Sequence, residues 1–150
     1  MDHAEKAREL FLEGYNCSQS VFLAFHDLTG LGPSESARIA SSFGGGMGRL
    51  REVCGAVSGA FMVLGLLRGY DDPKDAEAKA AHYAMLQDFA DEFREKHGSI
   101  ICRDLLSGVK TTPGKRPEER TKDYYESRPC LRYVSDAAGM VDEYLKNRNI

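Results

Sequence analysis

The sequence predicts an all-α fold, a compact bundle of six to seven helices around a central apolar helix at about residues 50–67. Apolar residues recur at three- and four-residue spacing along most of the chain, and the strict alternation of a half-buried strand is nearly absent. Helix-starting and helix-stopping residues bracket those periodic stretches. A length of 150 residues suits a single α-helical domain over 1–150, and 42% hydrophobic against 29% charged residues is the balance of a folded chain.

Asp2 with Glu5 starts a first helix whose Ala4, Ala7, Leu10 and Phe11 share a face, and Gly14 stops it. Asn16, followed three residues on by Gln19, has the pattern of a capping box. The helix behind it carries Cys17, Val21, Ala24, Phe25 and Leu28 as its stripe and ends at Gly30. Pro33 opens a third helix through Ala37, Ala40 and Phe43. Gly44-Gly45-Gly46-Met47-Gly48 interrupts it, because a helix interior disfavours glycine. From about Leu50 to Leu67 the chain is apolar on every side, with charge only at the ends (Arg49, Arg51, Glu52, Arg68), as befits the centre of a bundle. Gly55, Gly59 and the small residues between them keep that helix thin enough for a neighbouring backbone to come close.

Asp72 and Pro73 begin the next helix, with Tyr83, Leu86, Phe89, Ala90 and Phe93 inward and Lys96, His97 and Gly98 at its end. Ser99 caps a short helix through Leu106. The polar stretch 109–119 holds two prolines and reads as an exposed loop. After a helical turn around Tyr124, Pro129 starts a last helix to about Asn147, with Leu131, Val134, Ala138, Val141 and Leu145 as its inner face. Tyr124 and Tyr125 read as packing residues or the lining of a pocket.

Charge and hydropathy exclude several classes. A net charge of −3 and a pI near 5.8 argue against a nucleic-acid binder, which needs a basic excess. The polar start Asp2-His3-Ala4-Glu5-Lys6 is unlike a secretory signal. The longest apolar stretch, Val53 to Leu67, falls short of the ~20 residues of a membrane span. A cytoplasmic protein without membrane insertion is expected, and the small-residue faces would also suit a homo-oligomer. Ser/His/Asp and paired-carboxylate arrangements have no distinctive pattern, and Asp71, Asp72, Asp88, Asp91 and Glu92 read as helix starts and solvated faces.

The four cysteines, Cys17, Cys54, Cys102 and Cys130, are far apart in sequence, with no Cys-x-x-Cys pair. A disulfide scaffold is a poor default in a reducing compartment, and a buried cysteine can be a small hydrophobe and nothing more. Their placement favours chemistry: Cys17 follows an N-cap, Cys102 comes three residues after Ser99, Cys130 follows Pro129, and Cys54 falls in the first or second turn after the glycine segment. Helix N-termini stabilise negative charge and so favour thiolate, the nucleophilic and metal-binding form. Each cysteine also lies on an apolar stripe, so all four can face one interior. The glycine segment lacks the pattern of a nucleotide-binding loop; it reads as a sharp turn and as an entry to Cys54, with Gly44, Gly45, Gly46, Gly48 and Arg49 lining the way and Arg49 and Arg51 adding positive potential.

Gly14-Tyr15-Asn16-Cys17-Ser18-Gln19-Ser20-Val21, Phe43-Gly44-Gly45-Gly46-Met47-Gly48-Arg49, Cys54-Gly55-Ala56-Val57-Ser58-Gly59-Ala60, and Gly98-Ser99 leading to Cys102 and then Cys130 together resemble the C_GCAxxG_C_C family. Its members are described as redox-active proteins of about this length with four characteristic cysteines and a Cys-Gly-Ala-x-x-Gly motif. The likeness runs from about Gly14 into the last helix. It implies that the four cysteines are the functional residues and brings no substrate with it.

Three readings of the thiols stand side by side. In the first, a thiol-dependent oxidoreductase uses Cys54 as attacking thiolate and Cys17 as its resolving partner, with Cys102 and Cys130 as a second pair; four cysteines allow three connectivities. It needs a small-molecule or protein redox partner and no cofactor. In the second, all four thiolates hold a transition metal or an iron–sulfur cluster, or three do so with His26, His82 or His97 completing or tuning the site. The close ligand pair of a metal knuckle is absent, and each histidine has a plainer role: His97 at a helix C-terminus, His82 on a solvated face, His26 at an interface. In the third, the chain is a structural or partner-binding helical domain with inert cysteines.

Overall fold

The computed structural model describes residues 2–147. These form nine right-handed helical segments: α1 (His3–Leu12), α2 (Cys17–Ala24), α3 (His26–Thr29), α4 (Pro33–Ala40), α5 (Gly55–Arg68), α6 (Ala76–His97), α7 (Cys102–Leu105), α8 (Lys122–Ser127) and α9 (Cys130–Asn147). A 3-10 turn at Ser41–Phe43 and the turn Gly44–Met47 join α4 to the segment before α5. The described residues contain no strand, and an isolated antiparallel bridge links Val53 to Ile101. The expected all-α bundle is what the chain forms, with six helices of eight residues or more and three short ones.

Local chemistry explains the boundaries. Asp2 accepts the Glu5 N–H, Asp75 that of Ala78 and Thr121 that of Tyr124. Asn16 and Gln19 make the full capping box ahead of Cys17. Gly30 and Gly98 end their helices in the left-handed conformation. Asp72 closes a turn instead of starting α6: its side chain accepts the Lys74 N–H, its carbonyl accepts that of Asp75, and Asp75 becomes the cap.

Helix α2 lies between α1, α4, α5 and α9, and α9 also crosses α1 and α5. Phe11, Phe25, Phe89 and Phe93 are wholly buried in the shared core, each contributing about 1.5–3 kcal/mol by leaving water. The approach of α5 to α2 depends on two glycines one helical turn apart. A Cβ on Gly59 would stand 2.7 Å from the Ser18 carbonyl oxygen, and one on Gly55 would stand 2.9 Å from that of Phe43. The Cys-Gly-Ala-x-x-Gly spacing is thus a packing device that seats Cys54 beside the start of α2.

Two further differences from expectation concern α6 and the start of α5. Tyr83 is exposed on α6, and Met85 takes the inward position. The apolar helix begins at Gly55, not near Leu50, because the preceding backbone turns left-handed. Gly45, Gly46, Met47, Gly48 and Arg49 are consecutive residues with φ of 65°, 71°, 70°, 60° and 65°, and Arg51 follows at 62°. Left-handed geometry costs a non-glycine residue roughly 1–2 kcal/mol, so Met47, Arg49 and Arg51 need compensation. Backbone bonds supply it: Arg51 N–H to the Gly45 carbonyl at 3.2 Å, Glu52 N–H to that of Gly46 at 2.9 Å, Cys54 N–H to that of Ile100 at 2.7 Å and Cys102 N–H to that of Glu52 at 2.6 Å. These bonds stitch the starts of α5 and α7 together.

Candidate functional site

All four cysteines stand where helices begin: Cys17, Cys102 and Cys130 are the first residues of α2, α7 and α9, and Cys54 is the N-cap of α5. They line one cavity of about 260 Å³. Ile101, not Ser99, precedes α7 as its cap; the Ser99 hydroxyl accepts the Ile101 N–H and donates to Asp104. All four are free thiols, and Cys54, Cys102 and Cys130 are buried.

Helix position alone does not set their acidity. Burial pushes the Cys54 thiol up to about 12 despite the N–H groups of Val57 and Ala56 on its sulfur. Burial also raises Cys102, opposed by Arg51, whose Nη1 is 3.7 Å from the sulfur. Cys17 faces Cys130, and that contact together with burial raises Cys17 well above the usual thiol range. That same contact lowers Cys130 to about 7 against burial, helped by the Arg128 guanidinium. Of the four thiols, Cys130 is the one lowered and the other three are raised. Cys17 stands beside Cys130, which departs from the expected Cys54–Cys17 and Cys102–Cys130 pairs. Desolvation is the leading cause at Cys54 and Cys102, and the Cys130 contact is the leading cause at Cys17.

Gly44, Gly45, Gly46, Gly48 and Arg49 line the cavity. The Arg49 guanidinium bonds the carbonyls of Thr112, Gly114 and Arg116, which straps residues 109–119 over the opening. Glu118 from that strap pairs with the buried Arg128, lies 3.6 Å from Arg49, and accepts the Thr112 N–H. Arg120 bonds the Phe11 and Tyr15 carbonyls and stacks on Phe11 and Tyr124. Tyr124 lines the cavity; Tyr125 stands behind it against Phe11.

Glu118, Arg120 and Arg128 escaped the sequence reading. The signal for Arg128 was its position two residues before Cys130, whereas nothing local marks Glu118, which comes from a stretch that reads as solvated loop. His26 is exposed, and neither it, His82 nor His97 lines the cavity. His97 ends α6 with Nε2 2.9 Å from Asp136. Among the described residues no three His, Cys, Asp or Glu side chains gather as a metal-binding group.

Fold and cavity define a class: an all-α protein that brings four helix-starting thiols to one cationic cavity. The family model described as "Putative redox-active protein (C_GCAxxG_C_C)" matches residues 15–144, and the chain belongs to this family. No curated protein and no solved structure shows significant similarity to it. None of the described helices is long and apolar enough to cross a membrane.

Proposed function

We propose that the protein is a dithiol–disulfide oxidoreductase in which Cys130 attacks and Cys17 resolves. The observation that carries this reading is that Cys17 and Cys130 face each other on the cavity wall, with Arg128 beside the sulfur that ionises. The Cys130 thiolate attacks one sulfur of an external disulfide, forming a mixed disulfide and releasing one thiolate. Cys17 gives up its proton and attacks the Cys130 sulfur, forming the Cys17–Cys130 disulfide and releasing the second thiolate. The two leaving groups take up the proton from Cys17 and the one lost when Cys130 ionised. The external disulfide is reduced by two electrons and the protein dithiol is oxidised by two. A reducing cytoplasm, the compartment we infer, would return the pair to the dithiol.

Cys54 and Cys102 are held protonated by burial, which suits them to a slower second couple. The test is anaerobic titration of the reduced protein with 2-hydroxyethyl disulfide, followed by mapping of the bridge by peptide mass spectrometry. Loss of two thiols with a Cys17–Cys130 bridge formed first is expected. Four thiols inert in the folded protein, or Cys54–Cys102 bridged first, would overturn the assignment.

A further inference from the structure

We propose that the cavity selects a small disulfide bearing carboxylates, and that Arg51 is the specificity residue that receives the anionic end. This deepens the dithiol reading and rests on it. The chain as a whole is acidic, at −3, yet the cavity wall carries Arg49, Arg51, Lys115, Arg120 and Arg128 against one carboxylate, Glu118. Such a concentration in an otherwise anionic molecule raises the local concentration of anions.

Three of the guanidiniums already have partners. Arg128 is paired with Glu118, Arg49 holds the strap carbonyls, and Arg120 holds the Phe11 and Tyr15 carbonyls. Arg51 differs. Its Nη1 reaches only the Cys102 sulfur at 3.7 Å, and its Nη2 is buried with no hydrogen-bond partner. The nearest carboxylate oxygen, on Glu118, is 4.0 Å from Nη2, beyond hydrogen-bond range. A buried guanidinium N–H without an acceptor is costly, and a ligand carboxylate would satisfy it within the space that the four sulfurs border. Backbone geometry fixes the side chain there, since Arg51 sits in the left-handed region with its N–H on Gly45 and its carbonyl accepting from Arg103. A cavity of about 260 Å³ admits a short aliphatic disulfide. The chemistry is the exchange already written, with the carboxylate end held at Arg51 while Cys130 attacks the nearer sulfur.

The experiment compares three matched disulfides on the reduced full-length protein: anionic 3,3′-dithiodipropionate, neutral 2-hydroxyethyl disulfide and cationic cystamine. Each rate is divided by the rate of the same disulfide with free mercaptoethanol, which removes intrinsic reactivity. At low ionic strength the normalised order should be anionic, neutral, cationic, with about tenfold between the first two. The gap should shrink with added salt. R51Q should slow the anionic substrate at least about threefold more than the neutral one, and K115Q should act in the same direction. If R51Q fails to fold, the wild-type salt dependence decides. Reaction with all three disulfides at equal normalised rates would overturn the anion selectivity and leave the dithiol reading standing. No reaction with any of them would overturn both.

Discussion

Cys17 and Cys130 face each other on the cavity wall where the N-terminal ends of α2 and α9 meet. The contact acts in opposite directions on two cysteines that are chemically alike in sequence, raising Cys17 and lowering Cys130. Arg128 reinforces the split from the Cys130 side.

Alkylation should report that split. With iodoacetamide, the fastest thiol in the wild type should follow a titration centred near 7, the value to which Cys130 is lowered. C130S should slow the fast phase at pH 7 at least about tenfold, because an ordinary thiol is only a few per cent ionised there. C17A removes the partner thiol that lowers Cys130 and should move the midpoint upward. A wild-type midpoint near 9, unchanged in C17A, would show that the contact does not control reactivity.

Arg49 should govern how firmly the strap closes. Its guanidinium holds three carbonyls of 109–119 in a fork that lysine cannot reproduce. R49K should therefore be cut faster by trypsin after Lys110 and Lys115 while the helical circular dichroism is kept. Equal cleavage of R49K and wild type would mean that the strap is held by Glu118 and Arg128 alone.

His3 makes stability depend on pH. Its ring stacks on Phe25 at 4.0 Å and joins α1 to Asp27 of α3 and Asp142 of α9. Burial pulls its pKa down, and the two carboxylates outweigh that and leave it above 6.5. Folding therefore favours the protonated imidazole, so the contribution is complete below pH 6.5 and fades as pH rises through the folded value. Urea unfolding of wild type against H3Q should show a wild-type advantage at pH 5.5, about 0.5–1 kcal/mol after solvent screening. The advantage should shrink at pH 8.5; one that is flat or grows with pH would contradict the assignment.

Much of this architecture is readable from local signals. Asn16 with Gln19, Gly30, Pro33 and Gly98 act where their chemistry says they should, and the cysteines do begin helices. What local signals miss is non-local in cause. The start of α5 is displaced because consecutive left-handed residues are held by hydrogen bonds to their own turn and to Ile100, almost fifty residues away. The order of thiol acidity is likewise set by burial and by Arg128, neither of which spacing reveals. Glu118 reads as solvated because its partners Arg49 and Arg128 meet it only once the strap has folded across the cavity.

The two central glycines of α5 give a test in which one substitution has opposite signs. At Gly59 a methyl group would lie 2.7 Å from the Ser18 carbonyl oxygen and 3.0 Å from the Val21 Cβ, so α5 must move away from α2. At Gly65, on the same helix, nothing lies within 4 Å. G59A should cost about 1–3 kcal/mol through overpacking, whereas G65A should gain about 0.5–1 kcal/mol from helix propensity and a less flexible unfolded chain. Paired denaturant titrations measure both. G59A should also alter thiol chemistry, because Ser18 follows Cys17 directly and any shift of that turn changes the Cys17–Cys130 contact; its alkylation midpoint should rise toward the ordinary thiol range. G65A should leave the midpoint in place. If G59A were as stable as G65A, α5 and α2 could not be packed as closely as the Cys-Gly-Ala-x-x-Gly spacing requires.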